Sequence, residues 1–192
     1  RDRSLGPHQS PGDVAIQTVN LVSQEKGKSR LDVGYRIPRS FFVFTRDYSP
    51  SAQHSFSARG EIIIEILDSA KTSVGQNVIA KELFTDEEPN PLVDSLPVVG
   101  VVSFDLKPGT YSLVIEINDN NSSRKSRDNS RTIKLKDFSQ NSLEISDINF
   151  CDPGIKTERQ LAPYNIGGDI PFSRNTLYYA QKILLSQYSD SD

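Results

Sequence analysis

The stretch from Phe56 to Leu67 limits the fold more than any other part of the chain. Ile62, Ile64 and Ile66 fall on one side of an extended segment, and Glu61 and Glu65 fall on the other. A period of two is the mark of a half-buried strand, whereas a helix would repeat every 3.6 residues. The same alternation returns along the chain. Val14, Ile16 and Val19 to Val22 form a first candidate strand. Leu31, Val33, Tyr35 and Ile37 form a second, ended by Pro38, which cannot donate to a sheet ladder. Phe41 to Thr45 reads as an apolar strand buried on both faces. Val74 to Phe84 has a weaker pattern. Val98 to Leu106 is β-branched, and Tyr111, Leu113, Ile115 and Ile117 alternate with Ser112, Val114 and Glu116. Arg131 to Lys136 and Leu143 to Phe150 complete the set.

About eight strands with short connections, and no convincing helix before residue 150, predict an all-β fold. The expected architecture is an immunoglobulin-like antiparallel β-sandwich with a C-terminal extension. Residues 1–12 read as a flexible N-terminal arm, 13–152 as the sandwich, and 153–192 as a linker and docking segment or the start of a second domain. Thr85 to Pro97, acidic and with three prolines, reads as a long loop. Asn118 to Ser130 reads as a polar turn.

Composition narrows the function classes. The chain has 192 residues, 35% of them apolar and 24% charged, with a net charge of −3. Both signs are mixed, which argues against a general nucleic-acid binder. No run of about 18 apolar residues is present, so no membrane span is expected. The single cysteine, Cys151, has no CxxC partner for a metal and reads as a packed or half-exposed residue. The chain does not begin with Met; a signal peptide removed on export would account for that, and so would a sequence covering part of a longer chain, and an extracytoplasmic location, periplasmic or cell surface, is expected.

Six groups of residues are candidates for a special role. Pro108, Gly109 and Tyr111 match the turn-and-tyrosine pattern of a tyrosine corner, whose role is structural. Asn118, Asp119, Asn120, Asn121 and Asp128 carry oxygens that calcium favours. They lack the spacing, the Gly and the terminal Glu of a helix-loop-helix calcium site, and read as an Asx-rich hairpin. Arg124, Lys125 and Arg127, with Arg131, form a basic cluster that an anionic partner would suit, or a solvated loop. Phe41, Phe42, Phe44 and Tyr48 suggest either core packing or a carbohydrate platform. Leu177, Tyr178, Tyr179, Ile183 and Leu184 form an apolar segment after a linker and need a surface to dock on. His8 and His54 lie in polar, turn-rich sequence, with no GxSxG elbow and no phosphate-cradling glycine loop to build an active site around.

Several of these pieces occur in a family order. The strand Leu31 to Ile37 is followed by Phe41-Phe42-Val43-Phe44 and the corner Leu106-Lys107-Pro108-Gly109-Thr110-Tyr111. Ile115-Glu116-Ile117-Asn118-Asp119, Leu143-Glu144-Ile145-Ser146-Asp147-Ile148, Pro171 and Leu177-Tyr178-Tyr179 come after. This order resembles the N-terminal β-sandwich region of bacterial GWxTD-domain proteins, over roughly residues 13 to 180. The chain holds no Trp, so the GWxTD motif itself is absent. The resemblance implies an exported protein and supplies no catalytic residues. The expectation is a non-catalytic protein–protein interaction or assembly module without cofactors, serving as an accessory subunit of a cell-envelope complex. The alternative is a carbohydrate-binding module of a larger exported enzyme. An enzyme domain using scattered acids, with a cleft joining His54 to two carboxylates, is the third reading.

Overall fold

The computed structural model describes residues 14–49, 51, 53–89, 96–138, 144–147, 149–157, 160–163, 166, 178–180 and 183–184. The expected N-terminal arm lies outside them. The chain is all β, its main elements two antiparallel sheets, and belongs to the sandwich class that the alternation predicts. It divides into two compact units that interleave along the sequence. One comprises the described residues of Arg1–Ile37, Val98–Gly109 and Leu135–Asp192; the other comprises those of Pro38–Pro97 and Thr110–Lys134.

In the first unit, β1 (Ala15–Val22) and β2 (Ser29–Ile37) form an antiparallel pair. The strand Val98–Leu106, the sixth in chain order, joins on the other side of β2. As the middle strand, β2 has every second residue, Leu31, Val33, Tyr35 and Ile37, buried at 3% exposure or less. Fully burying one such aliphatic side chain contributes about 2 kcal/mol. The opposite face of β2 carries Asp32, also buried. Its carboxylate accepts from Arg30 Nε (2.7 Å) and Nη2 (3.0 Å) and from Ser103 Oγ (2.6 Å). A buried charge needs such partners, because a lone one would be strongly destabilising. The Tyr35 ring lies so close over Gly100 that any side chain there would overlap it.

At Asn20 the outer edge of β1 is bonded by a loop residue. Asp147 donates its N–H to Asn20 O (2.9 Å) and accepts from Asn20 N through Oδ2 (2.9 Å). Lys136 Nζ holds the other carboxylate oxygen at 2.7 Å, and Ser29 Oγ donates to Lys136 O.

The second unit holds the larger sheet. Pro38 is followed by a 3-10 turn, Arg39–Phe41, closed by Phe41 N to Pro38 O (3.0 Å) and Phe42 N to Arg39 O (3.1 Å). The two-residue β3 (Thr45–Arg46) comes next. The strand expected over Phe41 to Thr45 is therefore mostly turn and connection. The aromatic run suits a strand by propensity, but local turn bonds after the proline prevail, and Phe42 is buried with its ring against Gly60. In β4 (Phe56–Leu67), Ile62, Ile64 and Ile66 are fully buried. β5 (Ser73–Thr85) pairs with one side of β4, through a turn in which Asp68 Oδ1 accepts from Ala70 N (2.8 Å) and Thr72 N (2.9 Å).

The strand Val98–Leu106 of the first unit is β6, and β7 (Gly109–Asp119) pairs with the other side of β4. Its Leu113, Ile115 and Ile117 stand opposite Ile66, Ile64 and Ile62, so six buried aliphatic side chains share one face. β8 (Lys125–Leu135) follows β7 at the far side of the sheet, and β3 pairs with β4 at Ser57 and Phe56, beyond the end of β7. The polar turn expected over Asn118 to Ser130 is shorter in the structure, since β8 already begins at Lys125.

The remaining strands belong to the first unit. They are β9 (Glu144–Ile145), β10 (Asn149–Thr157), β11 (Gln160–Pro163), β12 (Tyr178–Ala180) and β13 (Ile183–Leu184). β10 runs between β11 and β12, and β13 pairs with β9.

Candidate functional site

The feature with the clearest capacity to bind is the outer edge of β5. Backbone bonds show which of its groups are available. Asn121 Nδ2 donates to Ser57 O (3.1 Å), and Asn120 N donates to Arg59 O (2.9 Å). Both donors follow β7, so these carbonyls of β4 point away from β5. In an antiparallel ladder, residues whose groups point away alternate with residues that exchange bonds. Phe84 and Glu82, the partners of Ser57 and Arg59, therefore turn their own N–H and C=O outward. The same alternation turns Ala80, Val78 and Gln76 outward.

Arg39 Nη2 caps the Phe84 carbonyl at 2.5 Å. Among the described residues, β5 pairs with no strand besides β4. Of the outward-turned residues Val78 (55%) and Phe84 (47%) are exposed, and Val74 (41%), at the bulge near the start of the strand, extends the apolar strip. A long open edge with apolar side chains is what soluble proteins usually avoid, because it templates pairing with another chain.

The end of the strip near Phe84 is polar and aromatic. His54 stacks on the Phe84 ring with centroids 5.1 Å apart. Its Nδ1 lies 3.3 Å from Asp86 Oδ2, and Ser55 N donates to Asp86 Oδ1 at 3.0 Å. The Ser55 N–H, helped by His54, holds the exposed Asp86 carboxyl below its ordinary value. Asp86 is the one ion-pair partner of His54 among the described residues. His8 lies outside them.

The turn after β7 is a structural clasp. Asp119, buried, accepts from Val43 N (3.0 Å) and Ser122 Oγ (2.6 Å) through Oδ2, and from Asn121 N (3.1 Å) through Oδ1. Asn121 Nδ2 also reaches Val43 O (3.0 Å) and Thr45 Oγ1 (3.2 Å). The oxygens of Asp119 are thus spent on the protein itself. Asp128, in β8, accepts from Ser130 N and Oγ and from Arg131 Nε, which hold its carboxyl at about 2. Among the described residues no group of three or more His, Cys, Asp and Glu is placed to hold a metal.

The basic cluster is dispersed among partners. Arg124 Nη1 donates to Ser40 O and Phe41 O, both at 2.9 Å, Arg127 lies 3.8 Å from Glu116, and Arg131 pairs with Asp128. Lys125 is exposed at the start of β8.

The aromatic run is divided in the same way. Phe41 and Phe42 meet edge to face at 78°, Arg39 lies over Phe44, and Arg46 lies over Tyr48 and Phe56. The rings of Phe41 and Phe42 therefore do not make a flat stacking platform. Pro108 precedes β7, which Gly109 opens. Tyr111 is half-buried on the face of Leu113, with burial and then the Asp68 charge raising its hydroxyl pKa.

Of the apolar C-terminal segment, Tyr178 and Tyr179 lie in β12, opposite Cys151 and Phe150 of β10. Ile183 and Leu184 lie in β13, opposite Ile145 and Glu144 of β9. Leu177 lies outside the described residues. The backbone of this segment is thus paired within its own chain. The β5 edge is the feature that sequence reasoning missed. The even spacing of Val74, Val78, Ala80 and Phe84, interrupted by Gln76 and Glu82, signals an apolar strip but not that its strand ends the sheet.

The chain matches no protein-family model, and it matches no curated protein in sequence. No helix among the described residues is long and apolar enough to cross a membrane.

Proposed function

We propose that this chain is a non-catalytic protein–protein interaction module that receives a partner strand along β5. The open edge carries this reading: outward N–H and C=O groups from Gln76 to Glu82, bordered by exposed Val74, Val78 and Phe84. Strand addition draws affinity from main-chain hydrogen bonds and specificity from alternate side chains, and β5 offers both. A role as an accessory subunit of a cell-envelope complex belongs to the same proposal, and export is what the family resemblance implies.

Ala80 gives a clean test. Its N–H points outward, so Ala80→Pro removes a donor from the open edge and none from the ladder to β4. The variant is expected to keep its far-UV circular dichroism spectrum and to lose capture of its partner from an envelope extract. Equal capture by variant and wild type would remove β5 as the docking edge.

A further inference from the structure

The sequence of β5 is complementary to itself, and this narrows the occupant of the edge. Resting on the reading of β5 as a docking edge, we infer that the strand it receives is β5 of a second copy, antiparallel and centred on Ile79. Only even-numbered residues turn their backbone groups outward, so even must meet even across a two-fold axis. That leaves registers that differ by two residues in their pairing.

Centred on Ile79, Val78 stands opposite Ala80 of the second copy, Gln76 opposite Glu82, and Asn77 opposite Lys81. Phe84, exposed, lies at each end near the exposed Val74, which sits at the bulge of β5 between Gly75 and Ser73. Apolar residues face apolar ones throughout, and each charged residue faces an amide. The Phe84 carbonyl is already held by Arg39, so the ladder runs from Gln76 to Glu82, and the end pair adds side-chain contact alone.

Neighbouring registers lose this match. Centring on Ala80 sets Val78 against Glu82 and Ile79 against Lys81. Centring on Val78 sets Ile79 against Asn77 and Ala80 against Gln76. Centring on Lys81 opposes two like charges, which is destabilising across strands.

The axis passes through a pair of Ile79 residues at a non-hydrogen-bonded position. There the two Cα atoms approach to about 4.5 Å. That separation lies within reach of a disulfide.

The test combines mass, register and occupant. In sedimentation velocity the wild type should show a concentration-dependent dimer. Val78→Lys, a change on an exposed position, should be monomeric with an unaltered circular dichroism spectrum. In a Cys151→Ser background, Ile79→Cys should oxidise to a linked dimer, while Gln76→Cys, which faces Glu82, should not. A wild type that stays monomeric at every concentration overturns the self-pairing, and so does equal cross-linking at positions 76 and 79.

A photo-cross-linking residue in place of Val78, in the cells that make the protein, separates this inference from the broader reading. An adduct of twice the chain mass is expected. An adduct of another mass overturns self-pairing and leaves β5 as a docking edge for a different protein. No adduct at all removes both.

Discussion

The five-stranded sheet has two long borders, and they are built differently. β8 carries Lys125, Arg127, Asp128, Arg131 and Lys134, and its side chains are mostly exposed except near Ile133 and Leu135. β5, on the opposite border, exposes Val74, Val78 and Phe84. Charges along an edge strand discourage another chain from pairing with it, because they would have to be desolvated or brought against like charge. In the other unit, β1 is protected by a different means: Asp147 occupies the backbone groups of Asn20. The chain therefore has two devices for closing edges, side-chain charge and a covering segment. Along β5 the nearest equivalents are Lys81, on the face of the buried isoleucines, and the Glu82–Arg59 pair at 3.2 Å. An edge guarded this lightly is the physical ground for the docking role proposed for it.

Asp119 is the anchor on the β7–β8 side. Its carboxylate satisfies two backbone N–H groups, those of Val43 and Asn121, and the Ser122 hydroxyl. Hydrogen bonds to a charged group contribute roughly 1.5–3 kcal/mol each, and their losses overlap at one site. Asp119→Ala should therefore destabilise the fold by about 3 kcal/mol in urea unfolding. A loss under about 1 kcal/mol would mean that the clasp does not hold the segment from Ser40 to Thr45 in place.

A smaller effect, of opposite sign, is expected on the β5 side. Lys71, in the turn between β4 and β5, has φ of 64°, the left-handed region that glycine adopts freely. A residue with a Cβ is strained there by roughly 1–2 kcal/mol. Glycine gains flexibility in the unfolded chain, and the Lys71 Nζ bond to Ser112 Oγ (3.1 Å) would be lost, so part of that strain is offset. Lys71→Gly should stabilise by about 0.5 kcal/mol, read from the shift in the urea midpoint. A destabilised variant would show that the lysine side chain matters more to the hairpin than its backbone strain.

How far the chain can be read without a structure follows from the same two borders. The central strands are legible because burial on one face imposes a period of two; Phe56–Leu67 and Val98–Leu106 have the bounds that the alternation sets. β8 is only half legible. Its first residues, Lys125 to Ser130, are polar on both faces, as an exposed edge allows, so they read as turn. Phe41 to Thr45 misleads in the other direction, because aromatic residues favour strands wherever they are buried, and Phe42 is buried from a connection. The β5 edge is not legible at all as an edge. Which strand ends a sheet is a long-range property, and the alternation of Val74, Val78 and Phe84 looks the same whether a neighbour lies beside it or not. The partners of Arg124 and Arg127 are hidden for the same reason, since Ser40 and Glu116 lie far along the chain or across a strand, whereas Arg131 pairs with Asp128 three residues away.

The smallest effect tests whether the charges of β8 are held in place or merely present. Asp128 accepts from Ser130 N, Ser130 Oγ and Arg131 Nε, and its pKa falls from 3.8 to about 2. All three donors favour the ionised carboxylate. A depressed carboxylate contributes stability above its unfolded value, and that contribution fades as pH falls from about 4 to about 2. The group is partly exposed, so solvent screening keeps the gain small. A carboxyl-carbon NMR titration should place the Asp128 midpoint near 2, with Ser130→Ala moving it upward toward the ordinary value. An unmoved midpoint would mean that the Ser130 hydroxyl does not fix the carboxylate. The charge on this border would then be loosely held, and the contrast with β5 would rest on the number of charged residues rather than on their geometry.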